Sequence, residues 1–115
     1  MKRRDIVLIR WPFSDLSSDK VRPALIISSD KYTCRSEDAV FLFISSRTQH
    51  PQPTDLLFDQ SDPEFYKSGL KKSSLIKTTK IASLSKSLAS NLLGEASPII
   101  MERVKGLLIE ALNLN

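Results

Sequence analysis

The sequence predicts a mainly β fold, a small twisted sheet or barrel followed by one helix. Three observations carry that prediction. Short runs rich in β-branched, leucine and aromatic residues recur between Asp5 and Leu84, and polar or proline-containing stretches separate them. Helical spacing of apolar residues is clearest after Ser97. The chain has 115 residues, 41% of them hydrophobic and 26% charged. That is the size and composition of one domain, residues 1–115, with enough chain to bury a core unaided.

Each element has a local cause. Asp5-Ile-Val-Leu-Ile-Arg-Trp11 is the first strand, and Pro12, which has no N–H for a ladder, ends or bulges it. Ser14 to Lys20 is polar and turn-rich, an exposed loop. Pro23 opens the second strand, Ala24 to Ser28, and forces Arg22 toward an extended conformation. Ser29-Asp30 can cap a short helical turn. Ala39 to Ser45 is the third strand and reads as buried on both faces. Pro51 and Pro53 mark a loop before a fourth strand, Thr54 to Phe58. Asp59 to Tyr66 reads as a loop with a brief turn, and Leu75 to Leu84 as a fifth strand. Ser97 then caps a helix with Pro98 at its first position, where the missing N–H is harmless. Ile100, Val104, Leu107, Leu108 and Leu112 form its apolar face. Gly106 weakens it by about 1 kcal/mol relative to alanine.

Composition excludes several classes. The longest unbroken apolar run is six residues, Ala39 to Ile44, too short to span a membrane. Lys2-Arg3-Arg4 is followed by Asp5 rather than a long apolar stretch, so no secretory signal is read there. One cysteine, Cys34, makes neither an internal disulfide nor a structural zinc site, and it reads as an inert small hydrophobe rather than a reactive thiol. A cytoplasmic protein is expected. Three well-separated glycines supply no phosphate-binding glycine-rich turn. Seventeen Lys and Arg against thirteen Asp and Glu leave a net charge of +4. The charge is uneven. Phe65 to Leu93 carries six lysines and no acid, and Asp55 to Glu64 carries four acids and no base. A basic surface of this kind suits a polyanion such as RNA, and equally serves as a solvated face.

Five stretches, taken together and in order, carry a resemblance. They are Lys2 to Trp11; Lys20-Val-Arg-Pro-Ala-Leu-Ile26; Phe43-Ile-Ser-Ser-Arg47; Ser68-Gly-Leu-Lys-Lys-Ser-Ser-Leu-Ile-Lys77; and Leu93-Gly94 with the final helix. The chain resembles the MazF/PemK toxins of bacterial type II toxin–antitoxin systems over nearly its whole length, most specifically at Arg-Pro-Ala-Leu. The resemblance implies an SH3-like β-barrel with a C-terminal helix, of the CcdB/PemK kind, assembled as a homodimer. It implies an endoribonuclease that cuts single-stranded RNA without a metal or other cofactor, leaving 2′,3′-cyclic phosphate and 5′-OH ends. It also implies a cognate antitoxin that lays a flexible acidic segment in the basic cleft.

Two catalytic residues carry over by position. Arg22 matches the family's arginine, whose guanidinium fork suits a phosphorane gaining negative charge. Ser45 stands where threonine is usual; it keeps the hydroxyl donor and loses the methyl group that restricts its rotamer. Phe13, Asp15, Asp19 and Lys20 fall in the loop expected to read RNA, Ser46 and Arg47 follow the catalytic strand, and Lys80 belongs to the basic stretch. Lys77 and Thr79 stand where some members have an arginine and an aspartate; lysine keeps the charge without bidentate geometry, and threonine is no carboxylate base. Arg4 replaces a glycine that commonly precedes Asp-Ile-Val.

Other residues stay open at this level. Trp11 and Phe13 stack on bases or fill a core. His50, the single histidine, sits in a proline-rich loop and reads as a solvated surface residue. Two other functions remain compatible with the same barrel. One is a binding module without cleavage. The other is a CcdB-like gyrase poison, disfavoured because that class acts through aromatic and small residues at its C-terminus and this chain reads Leu112-Asn-Leu-Asn115 there.

Overall fold

The computed structural model describes residues 1–12 and 21–114. Six antiparallel strands run β1 (Asp5–Ile9), β2 (Arg22–Ile26), β3 (Asp38–Ser45), β4 (Asp55–Phe58), β5 (Ser74–Ser85) and β6 (Ala89–Glu95). A short helix α1 (Asp30–Arg35) joins β2 to β3, and helix α2 (Pro98–Leu112) follows β6. Two 3-10 turns, Phe65–Ser68 and Lys86–Leu88, flank β5. The sheet order is β4-β5-β3-β2-β1-β6.

The sheet buries both faces, and this dictates its composition. On β3, Leu42 and Ile44 point into one cluster with Ile6, Leu25, Ile76, Ile100 and Val104, the side covered by α2. Phe41 and Phe43 point into the other with Val7, Ile9, Trp11, Ala24 and Ile26. Residues 41–44 are therefore all buried, as an apolar run without alternation requires.

A break in β5 curls the sheet. Phe43 pairs with Lys77, but Leu42 pairs with Ile81, so residues 78–80 are extra on β5 and bend it. The second half of β5 then wraps the Phe41 cluster. Ala82 from that half, Leu88 and Ala89 pack against the cluster. The Lys86–Leu88 turn is pinned from both sides: Lys86 N–H donates to Glu37 (2.8 Å) and Arg10 N–H donates to Leu88 (3.1 Å). β4 and β6 remain the sheet edges, so the small barrel closes by packing and not by a continuous ladder.

Two glycines permit a second closure. A Cβ at Gly94 would lie 2.3 Å from the Lys67 carbonyl oxygen, and one at Gly69 would lie 2.1 Å from that of Leu93. The edge strand β6 and the Phe65–Ser68 turn thus touch backbone to backbone. Gly69 also has φ +72°, a conformation that glycine adopts without steric cost.

The structure moves several expected boundaries. β1 stops at Ile9, two residues short of Trp11. β6 was not expected: Ala89-Ser-Asn-Leu-Leu-Gly-Glu95 has no β-branched residue and little burial, and it is held by pairing with β1. On α2, Ile100, Met101 and Val104 are buried, while the expected Leu112 lies beyond the sheet and is 46% exposed. Ser97 caps α2 by accepting from Ile100 N–H (3.3 Å), with Pro98 in its first turn, and Asn113 ends it at φ 55°. Ser29 caps α1 by accepting from Tyr32 N–H (3.1 Å). Cys34 is exposed there, and its thiol donates to the Lys31 carbonyl (3.4 Å).

A cationic cleft as candidate active site

The cleft opens where the β2–β3 ladder stops. Ile27 N–H donates to Val40, and amide direction alternates along a strand, so residues 25 and 23 also face β3. Residue 23 is proline and has no N–H, and the paired register ends at Ala24↔Phe43. Continued two residues, that register sets Arg22 across from Ser45. Both line one cleft of about 830 Å³.

Its floor is apolar, with Leu8, Val21, Pro23, Ile44, Leu70 and Leu93. Its rim is cationic. Arg22, Arg47, Lys71, Lys72 and Lys80 line it, and the described lining holds no carboxylate and no histidine. Such a concentration of one sign with apolar walls raises the local concentration of anions.

Arg22 is lightly tethered. Its Nη1 donates to the Val21 carbonyl at 3.3 Å, which leaves most of its donors for a ligand among the described residues. Ser45 Oγ accepts from Arg47 N–H at 3.1 Å. The serine is thus oriented as an acceptor toward the backbone, and its hydroxyl proton remains to be donated. Ser46 and Arg47 are exposed at the rim. Lys80, on the three-residue break of β5, holds its ammonium 5.3 Å from the Phe43 ring centroid. Trp11 packs on the same ring, 5.2 Å away, and is buried, so it belongs to the core and does not line the cleft.

The six lysines of the basic stretch separate into two groups. Lys71, Lys72 and Lys80 line the cleft. Lys67 pairs with Glu64 (3.6 Å), Lys77 with Asp55 (3.0 Å), and Lys86 Nζ donates to the Thr33 carbonyl (2.8 Å). Lys77 was expected at RNA but does not line the cleft. Its ammonium is committed to a carboxylate that is 1% exposed, and a buried carboxylate holds its counter-charge tightly. Thr79 is exposed and also lies outside the lining. His50 is exposed and away from the cleft. Phe13, Asp15, Asp19 and Lys20 lie outside the described residues.

Sequence reasoning passed over Lys71 and Lys72 as individual site residues, although the pair sits in one of the stretches that carried the resemblance. The signal was their adjacency in a segment without acids.

The fold is shared with solved toxin structures. A mycobacterial endoribonuclease bound to its cognate antitoxin superposes with a TM-score of 0.75 at 23% identity, over 100% of this chain and 97% of that one. The Mycobacterium tuberculosis toxin MazF-mt6 gives 0.78 at 15%, over 97% and 99%. MazF from a Deinococcus radiodurans MazE–MazF complex gives 0.76 at 18%, over 100% and 97%. No curated protein sequence matches the chain. The curled sheet and its covering helix are thus a fold shared with those structures. Residues 2–112 match the PemK-like, MazF-like toxins of type II toxin–antitoxin systems, and the chain belongs to that family.

Proposed function

We propose that the chain is a sequence-specific endoribonuclease toxin acting on single-stranded RNA in the cytoplasm, as a homodimer held in check by an antitoxin. One observation carries the reading: Arg22 and Ser45 converge on a cleft whose described rim is cationic and free of carboxylates. The RNA supplies its own nucleophile. Its 2′ oxygen attacks the adjacent phosphorus, the bond to the 5′ oxygen breaks, the 2′-OH proton passes to solvent and the leaving oxygen takes one up. The products are a 2′,3′-cyclic phosphate and a 5′-OH end. Arg22 stabilises the charge that builds on the phosphorane, and the Ser45 hydroxyl donates to a non-bridging oxygen. Arg22 acts here as a charge and not as a base. Lys71, Lys72, Arg47 and Lys80 hold flanking phosphates. A flexible acidic antitoxin segment competes for the same rim.

The test is direct. Purified protein is incubated in EDTA with a long single-stranded RNA, and the cut ends are mapped. Discrete cuts with 5′-OH ends, lost in a folded Arg22→Ala variant, are expected. Equal cutting by that variant overturns the site. No cutting of several RNAs by the folded protein favours a second reading, a binding module on the same fold, which the tethering of Lys77 to Asp55 and the position of Thr79 outside the cleft support.

A further inference from the structure

We infer that the turn at Asp59–Ser61 is a clamp that positions the Lys71–Lys72 loop for RNA, so that Gln60 and Ser73 set the grip of the cleft without lining it. The inference rests on the ribonuclease reading above and names residues that it does not use.

The observations are a closed set of hydrogen bonds. Ser73 Oγ donates to Asp59 Oδ1 at 2.8 Å and accepts from Gln60 N–H at 2.9 Å. Gln60 Nε2 donates to the Lys71 carbonyl at 3.0 Å. Ser74 Oγ donates to the Lys72 carbonyl at 2.8 Å. Asp59 is itself held by the amide (3.2 Å) and the hydroxyl of Ser61. Both lysine carbonyls are therefore pinned, one across the loop and one from the strand that follows.

The physical need is plain. A lysine is a point charge on a long flexible stem, and ordering it costs rotamer entropy. Two adjacent lysines on a mobile loop grip a phosphate poorly. A fixed backbone removes the loop's share of that disorder before the ligand arrives, which is preorganisation by residues outside the contact surface. The clamp leaves both ammonium groups untouched. Gln60 and Ser73 are thus positioning residues, and Asp59 keeps Ser73 in place.

The experiment reads the salt dependence of binding to a mixed-sequence 2′-O-methyl oligoribonucleotide, which cannot cleave itself. Each lost phosphate contact on a single strand lowers the slope of log affinity against log salt by about 0.7. Ser73→Ala is expected to flatten the slope by about 1.4, equal to the loss in a Lys71→Gln/Lys72→Gln protein. Ser73→Thr, which keeps the hydroxyl, restores it. Adding Ser73→Ala to the double lysine variant changes nothing further, because both act through the same contacts. Gln60→Ala, a milder change in an exposed turn, gives a partial loss with an unaltered melting temperature. A wild-type slope in Ser73→Ala and Gln60→Ala, or losses that add to those of the lysine variants, overturns the clamp. Salt-independent or absent binding by the wild-type protein instead overturns the ribonuclease reading, and the clamp with it.

Discussion

Arg4 stands at φ +83°, in the left-handed region that costs a residue with a Cβ roughly 1–2 kcal/mol. A glycine at this position would carry no such cost. Here the side chain offsets part of the cost. Its Nη1 donates to the Ala96 carbonyl at 3.1 Å, and the Arg4 backbone bonds to both Ile26 and Ala96. The exposed ion pair with Glu95, at 3.8 Å, adds little. Arg4→Gly relieves the backbone and loses the side-chain bond. Arg4→Ala loses the bond and keeps the strain, so it should be less stable than Arg4→Gly by about 1 kcal/mol in urea unfolding. Ser45 makes a different prediction. Ser45→Ala removes both the donor for phosphate and the acceptor for Arg47 N–H, so cleavage should fall on the order of 10²-fold. Ser45→Thr should cut at least as fast as the serine protein, and a folded but inactive threonine variant would contradict the proposed role. At this scale the sequence was informative where a motif was local. Arg22-Pro23 and Ile44-Ser45 were legible because each lies within a few residues of its context. The Lys77–Asp55 and Lys80–Phe43 partnerships were not, because they join positions remote in sequence through a sheet register that no local pattern encodes.

The elements repeat that division. α2 was legible from its N-cap onward, since Ser97, Pro98 and the 3.6-residue period are local signals. Gly106 on this helix meets no heavy atom within 4 Å of a built Cβ. Gly106→Ala should therefore stabilise the protein by up to about 1 kcal/mol, read as a raised urea midpoint with an unchanged slope. β6 was invisible because tertiary pairing, not propensity, makes it a strand. The 59–64 segment carries the pH dependence. Hydrogen bonds from Ser61, then Ser73, hold the Asp59 carboxyl below its ordinary value of 3.8. The Glu64 amide, then Arg103, do the same for Asp62. A carboxyl lowered in the folded state contributes stability that is present above its unfolded value and lost as the pH falls through the folded one. The stability gap between the wild-type protein and Asp59→Asn should thus hold steady at pH 5 and above, and narrow below about pH 4, when urea midpoints are compared across that window.

For the whole molecule, two closures hold the shape, and both depend on chain that is distant in sequence. One is the curl of β5 around the Phe41 cluster; the other is the backbone contact of Gly69 and Gly94 between the Phe65–Ser68 turn and β6. Gly94→Ala forces a methyl group to 2.3 Å from a carbonyl oxygen that cannot rotate away. It should cost about 3 kcal/mol in denaturant unfolding and widen the Leu93 side of the cleft. The short apolar runs, separated by polar or proline-containing stretches, marked the fold as mainly β. It did not reveal which edge would meet which turn, because the bend at residues 78–80 has no proline or glycine to announce it.

The pairing of β1 with β6 also fixes when the cleft can exist. Leu8 in the cleft floor sits opposite Asn91, and Leu93, on the same strand as Asn91, belongs to that floor too. A ribosome lays down Leu8 and the Arg22 and Ser45 pair early, and Leu93, the β6 residue of the described lining, follows late, ahead only of α2. A nascent chain stopped before its sixth strand therefore carries every proposed catalytic side chain but lacks Leu93 from the cleft lining. A chain truncated before β6 should therefore keep Arg22 and Ser45 yet cut RNA less well than the full chain, which a cleavage assay of the two proteins checks.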